Sequence, residues 1–166
     1  MLIVNDPIIC KGFVYCTGHC TDGDSLKAKT EDWKDDGKFT QIFYVAQGSG
    51  KLYDETGLLK FELKEHNLYD FKDLYNRYFR VEASNKSCTW IGINPVPASR
   101  FFKAELKKEN FVVEGEEGKE NIIICVKNNI IIENKNLNEL NYSRIKYGKK
   151  VTVEVPKNSH AIYLVR

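Results

Sequence analysis

The run KFTQIFYVAQGSGKLYD, residues 38–54, constrains the fold more than any other part of the chain. Apolar β-branched and aromatic residues alternate with polar ones on either side of Gly-Ser-Gly, the period of half-buried strands flanking a turn. It predicts a β-hairpin. The same grammar recurs from end to end, with further strands expected at 12–16, 58–63, 77–83, 88–93, 101–106, 111–113, 121–126, 130–133, 142–146, 150–155 and 161–165. So many short strands between Gly, Asn, Asp and Pro clusters indicate an all-β sandwich or barrel.

With 166 residues the chain is long enough to bury roughly 70% of its unfolded surface in one sizeable domain or two small modules. Its net charge is only +2, and acids and bases are interleaved. That leaves no basic footprint for nucleic acid or for a membrane surface. The N-terminus, MLIVNDPIIC, lacks a basic region followed by a continuous apolar stretch, and no run approaches the ~20 apolar residues of a membrane helix. A soluble cytoplasmic protein without a secretory leader is expected.

Five cysteines at irregular spacing, Cys10, Cys16, Cys20, Cys88 and Cys125, read as reduced thiols rather than a disulfide framework. Cys16, His19 and Cys20 have the donor types of a zinc site. As strand neighbours, His19 and Cys20 point to opposite faces, so half-buried thiols near a turn are expected instead.

The segment 20–38 is polar and rich in turn formers and is expected to be a long loop. Between 70 and 78, Phe71, Leu74, Tyr75 and Tyr78 fall at helical spacing, allowing a turn or two of helix. NPVPAS, at 94–99, interrupts the strand pattern with two prolines, which have no ladder donor to give. A boundary there divides the chain into halves 1–97 and 98–166. An internal echo supports two related halves: Tyr44-Val45 before Gly48 matches Cys125-Val126 before Asn128-Asn129, and the same offset sets 79–83 against 160–164.

These residues resemble the cupin superfamily, whose double-stranded β-helix barrels carry the motifs G(x)5HxH(x)3-4E(x)6G and G(x)5PxG(x)2H(x)3N. Gln41 followed by IFYVAQ and Gly48 reproduces the E(x)6G spacing with an amide in place of the carboxylate. VEVPKNSHAIYLV resembles the second motif, with Pro156 and His160 in place and the spacing one residue short. The resemblance implies an all-β, cupin-like jelly-roll barrel, built as two small related halves. Cupins commonly hold a divalent metal with histidines and a glutamate. Here the paired-histidine positions fall among Lys34, Asp35, Asp36 and Gly37, the second-motif histidine falls at or next to Phe79, and Gln41 is neutral. No cofactor is expected in this half. The alternative is a divalent metal in the second half, on His160 with Glu116 and Glu120, although aligning the valines puts Ile122 at the glutamate position.

The remaining polar and aromatic side chains suggest binding. Gln41, Tyr75, Tyr78, Phe79, Arg80 and Trp90 form the candidate ligand-binding set, because tyrosines beside arginines suit sugars and other flat polar ligands. The competing reading places these rings in the core. Nucleophilic catalysis has no GxSxG elbow or activated thiol behind it. Metal-independent cupins acting on nucleotide sugars imply a His–Tyr acid–base pair, for which His160 and Tyr163 are the candidates. The expected function is binding of a small polar or carbohydrate-like ligand. The alternatives are a sugar isomerase, epimerase or metal-dependent enzyme using His160, and a structural homodimer.

Overall fold

A computed structural model of the chain describes residues 3–4, 8–21, 25–29, 41–74, 78–97 and 99–166. It is built of strands, with one short 3-10 turn at Lys72–Leu74. No helix among the described residues is long and apolar enough to cross a membrane. The chain divides into two compact units, Met1–Phe101 and Phe102–Arg166.

The first unit comprises β1 (Ile3–Val4), β2 (Ile8–Cys10), β3 (Phe13–Thr21), β4 (Ser25–Lys29), β5 (Ile42–Asp54), β6 (Leu59–Lys64), β7 (Leu68–Asp70) and β8 (Tyr78–Pro95). The stretch expected to be a hairpin is instead one long strand, β5. Gly48, at φ 79°, does not reverse the chain; with register shifts at Val45/Gln47 and Gly48/Ser49 it bends β5 into two arms. The strands expected at 77–83 and 88–93 are likewise two arms of β8. Residues 42–48 lie between the distal arm of β8 and β7, whereas 49–54 lie between the proximal arm of β8 and β6. The outer places are taken by β3 on the distal arm of β8 and β4 on the proximal arm.

The expected loop at 20–38 is corrected in two places. β3 continues through Cys20 and Thr21, and Ser25–Lys29 pairs antiparallel with β8, Ser25 opposite Glu82 and Lys29 opposite Tyr78. A free ladder edge on β8 outweighs the turn-forming composition, since pairing rather than intrinsic preference decides strand structure. Residues 22–24 and 30–40, including Trp33 and the positions 34–37, lie outside the described residues, as do Tyr75 and Arg77.

The second unit contains β9 (Lys103–Lys107), β10 (Phe111–Glu114), β11 (Asn121–Lys127), β12 (Asn129–Ile132), β13 (Lys135–Asn138), β14 (Tyr142–Ile145), β15 (Lys150–Glu154) and β16 (His160–Val165). They form two four-stranded sheets, ordered β10-β15-β12-β13 and β14-β11-β16-β9. This is an eight-stranded jelly roll. The first unit is one eight-stranded sheet in which β8 and β5 run through both arms, with the neighbour order β4-β8-β5-β6 along the proximal arms and β3-β8-β5-β7 along the distal ones, matching the second unit's two sheets.

Each unit has its own core. Phe43 stacks between Phe71 and Trp90, at centroid distances of 5.2 and 5.1 Å, over Val45, Leu52, Leu63 and Val81. In the second unit Val113, Ile123, Cys125, Ile130, Val151, Val153 and Ala161 close the barrel.

Candidate functional site

Strand registers locate equivalent positions in the two units. A bulge opposite Trp90/Thr89 falls between Val45 and Gln47, and one opposite Ala161/His160 falls between Cys125 and Lys127. Both are followed by a residue at positive φ, Gly48 at 79° and Asn128 at 58°. Val45 therefore corresponds to Cys125, Gly48 to Asn128 and Gln41 to Asn121. The glutamate position of the second unit is Asn121, one residue before Ile122. The second part of the echo is overturned. Leu52 faces Val81 as Ile132 faces Val153, so Phe79 corresponds to Val151, and His160 corresponds to Thr89.

Both units thus place a buried amide where the motif calls for a glutamate. Gln41 is fully buried, and its Nε2 donates to both carboxylate oxygens of Asp70 at 3.4 Å. Asn121 is 2% exposed; its Oδ1 accepts from the Tyr163 hydroxyl at 2.6 Å, while its Nδ2 is buried with no hydrogen-bond partner among the described residues. Burial pushes the Tyr163 hydroxyl above its usual range, helped by the carboxylates of Glu105 and Glu116.

His160 and Tyr163 do not meet. They stand three residues apart on β16, hence on opposite faces, and Tyr163 shares the barrel-facing side with Ala161. His160 is buried at the start of β16, across from Lys127. Glu120 lies at the other end of that strand, exchanging backbone hydrogen bonds with Arg166, about 20 Å away at ~3.3 Å per residue. Its carboxylate accepts from Arg166 Nε at 2.5 Å and Arg144 Nη1 at 3.3 Å. Partial burial would raise the Glu120 pKa, but the two guanidiniums outweigh it and hold the carboxyl below its usual range. Glu116 is exposed and pairs with Lys119. The set His160, Glu116 and Glu120 therefore does not converge.

The second unit's motif positions do not fit a metal either. His160 is the one imidazole among them, Asn121 is neutral, and the paired-histidine positions fall on 114–117. There Glu114 and Glu116 are exposed and Gly115 is buried, so close to the Lys146 carbonyl that a Cβ would sit 2.0 Å from its oxygen. Among the described residues, no three His, Cys, Asp or Glu side chains are grouped to hold a metal ion.

Of the expected ligand-binding set, Phe79 packs edge-on to Phe71 in the core, and Trp90 is buried against Phe43 and beneath Gly18. Arg80 pairs with Glu82 and lies 4.6 Å over the Tyr53 ring. Tyr78 opens β8. No aromatic platform is formed by Phe79 and Trp90. In CTGHC, His19 Nδ1 lies 2.8 Å from Thr89 Oγ1, and burial pushes the Cys16 and Cys20 thiols up.

The sequence reading missed a cleft in the second unit. It has a volume of about 270 Å³, with Ile132, Ile145 and Val151 as apolar walls and Ser143, Lys146 and Lys149 among its polar groups. Of its walls, Ile145 is the direct cross-strand neighbour of Asn121. The signal was present as YGKK, a glycine turn flanked by lysines between two strands, but it carries no chemistry until Ile132 is folded against it.

No known family profile matches the sequence, and no curated protein matches it. Solved structures do. A cupin 2 conserved barrel domain protein from Leptotrichia buccalis superposes with a TM-score of 0.57 at 9% identity, over 99% of this chain and 88% of that one. The fold is a cupin fold. HutD from Pseudomonas fluorescens SBW25 gives a TM-score of 0.65 at 9% identity, over 93% and 78% of the two chains. The bacterial pirin YhhW from Escherichia coli, in complex with nickel(II), gives 0.58 at 11% identity, over 99% and 98%. At such identities the likeness is one of fold, and this protein's own side chains decide its chemistry.

Proposed function

We propose that this cupin-fold protein is a binding module whose second unit takes a small polar ligand without a metal. The observation that carries the reading is the cleft of about 270 Å³ in which Ser143, Lys146 and Lys149 converge over Ile132, Ile145 and Val151. Apolar walls with a few convergent polar groups are the usual make-up of a small-molecule site.

A small-molecule screen by thermal shift and ligand-observed NMR, run with excess EDTA, tests this. Polar compounds are expected to raise the melting temperature of the wild type. Ser143→Phe, which fills the cleft from a half-buried position, should abolish the effect and leave the unliganded melting temperature within about 2 °C. Hits that survive in Ser143→Phe, or that vanish with EDTA, would refute the reading.

A further inference from the structure

The cleft that carries the proposed function also limits what can occupy it, and the following rests on that reading. Lys146 and Lys149 are the first and last residues of the turn between β14 and β15, closed by the Lys149 amide donating to the Lys146 carbonyl at 3.1 Å. The ends of such a turn lie within about 7 Å of each other. Gly115 holds the turn from outside: its amide donates to the Lys149 carbonyl at 2.8 Å, and its carbonyl accepts from the Gly148 amide at 2.9 Å. Two ammonium groups are therefore brought to one rim by a hydrogen-bonded backbone. No carboxylate pairs with either of them among the described residues, nor with Lys108, Lys127, Lys135 or Lys157 of the same unit, whereas Lys103, Lys107, Lys119 and Lys150 have acidic partners.

The other rim charges leave that surplus in place. Arg144 is engaged by Glu120, which Arg166 also contacts, so this triad contributes positive rather than negative charge. Glu133 is the single carboxylate on the rim. Below the lysines the walls are apolar, formed by Ile132, Ile145 and Val151, each less than one-tenth exposed, with the Ser143 hydroxyl as the neutral polar group.

We infer that the cleft between β12, β14 and the Lys146–Lys149 turn binds a small organic monocarboxylate, its carboxylate between the two ammonium groups and its apolar body against Ile132, Ile145 and Val151. A neutral polyol would leave the lysines unused and meet apolar walls. Inorganic anions would leave the walls wet.

Methyl-resolved NMR titration of the full chain with sodium benzoate, benzyl alcohol, inorganic phosphate and xylose distinguishes these cases. Benzoate is expected to shift the methyls of Ile132, Ile145 and Val151 saturably. Benzyl alcohol, the uncharged analogue, should bind at least tenfold more weakly, and phosphate should leave those methyls unmoved. The surface variant Lys146→Gln/Lys149→Gln should weaken benzoate at least tenfold with an unchanged melting temperature. Equal binding of benzoate and benzyl alcohol, or an unaltered benzoate affinity in that variant, overturns the inference. If xylose moves the cleft methyls and benzoate does not, the anion is wrong and the small-ligand reading stands; if none of the four moves them, both fall.

Discussion

Glu120 shows how a single residue changes role between sequence and fold. In the acidic run EGEEGKE it looks like a metal ligand, yet folding places it between Arg166 and Arg144, with the Arg166 guanidinium stacked 4.2 Å from the Phe102 ring. Its carboxyl is held below the usual range, so its contribution is fully present above the unfolded value of ~4.3 and is lost as pH falls through the lowered folded value. Glu120→Gln should cost about 1–3 kcal/mol at pH 7, the range for hydrogen bonds to charged groups. Measured by urea denaturation, the gap between wild type and variant should stay constant from pH 7 to 5 and shrink progressively on further acidification, as the pH falls through the lowered folded value. A gap that does not shrink on acidification would show that the charge on Glu120 is not what holds this corner. Nothing in the spacing of EGEEGKE could reveal the role, because Arg166 becomes its partner only when β11 and β16 pair.

At the scale of the element, alternation and turn chemistry were read correctly in kind and misread in geometry. Gly48 and Asn128 both signal a change of direction, and both adopt positive φ. The first bends one strand across two sheets, while the second joins two strands, a difference set by bulges and long-range pairing that no local pattern records. Val126 occupies the bulge position that Ala46 holds in the first unit, which is why aligning it with Val45 put Ile122, rather than Asn121, at the motif's glutamate position. Short strands such as Leu68–Asp70 and Ser25–Lys29 were missed because their partners, not their composition, make them strands. Substitutions at the two turn residues should therefore differ in severity. At Asn128 the side chain donates to the Asn158 carbonyl at 2.8 Å, and Asn128→Ala gives up that bond and an αL-tolerant residue, for about 1–2 kcal/mol. At Gly48 an added Cβ would lie 2.1 Å from the Ser87 carbonyl oxygen, so Gly48→Ala forces backbone apart and should cost about 3 kcal/mol or more. Urea midpoints of the two variants decide it; equal losses would mean that the close approach at Ser87 is not a real constraint.

For the whole molecule, the architecture was legible because strand periodicity and turn residues recur along the chain, and the cupin resemblance rested on spacing that the fold preserves. The site was not, since a site depends on which faces converge: His160 and Tyr163 are close in sequence but face apart, and Phe79 and Trp90 serve the core. The same convergence bears on metal. In the second unit the motif positions carry Asn121, a lone His160, Gly115 and exposed glutamates, and in the first the described positions carry Gln41 and Thr89. A tightly held metal present at a thousandfold excess over its dissociation constant stabilises by about 4 kcal/mol, which for a chain of this size corresponds to a rise of roughly 8–16 °C in melting temperature. For this protein, adding manganese, iron(II), nickel or zinc after EDTA treatment should move the melting temperature by less than about 1 °C, and elemental analysis of tag-free protein should find substoichiometric metal. A rise approaching 10 °C with any one of these ions would place a ligand set where Asn121 and a lone His160 provide none, and would locate it by elimination among donors outside the motif positions.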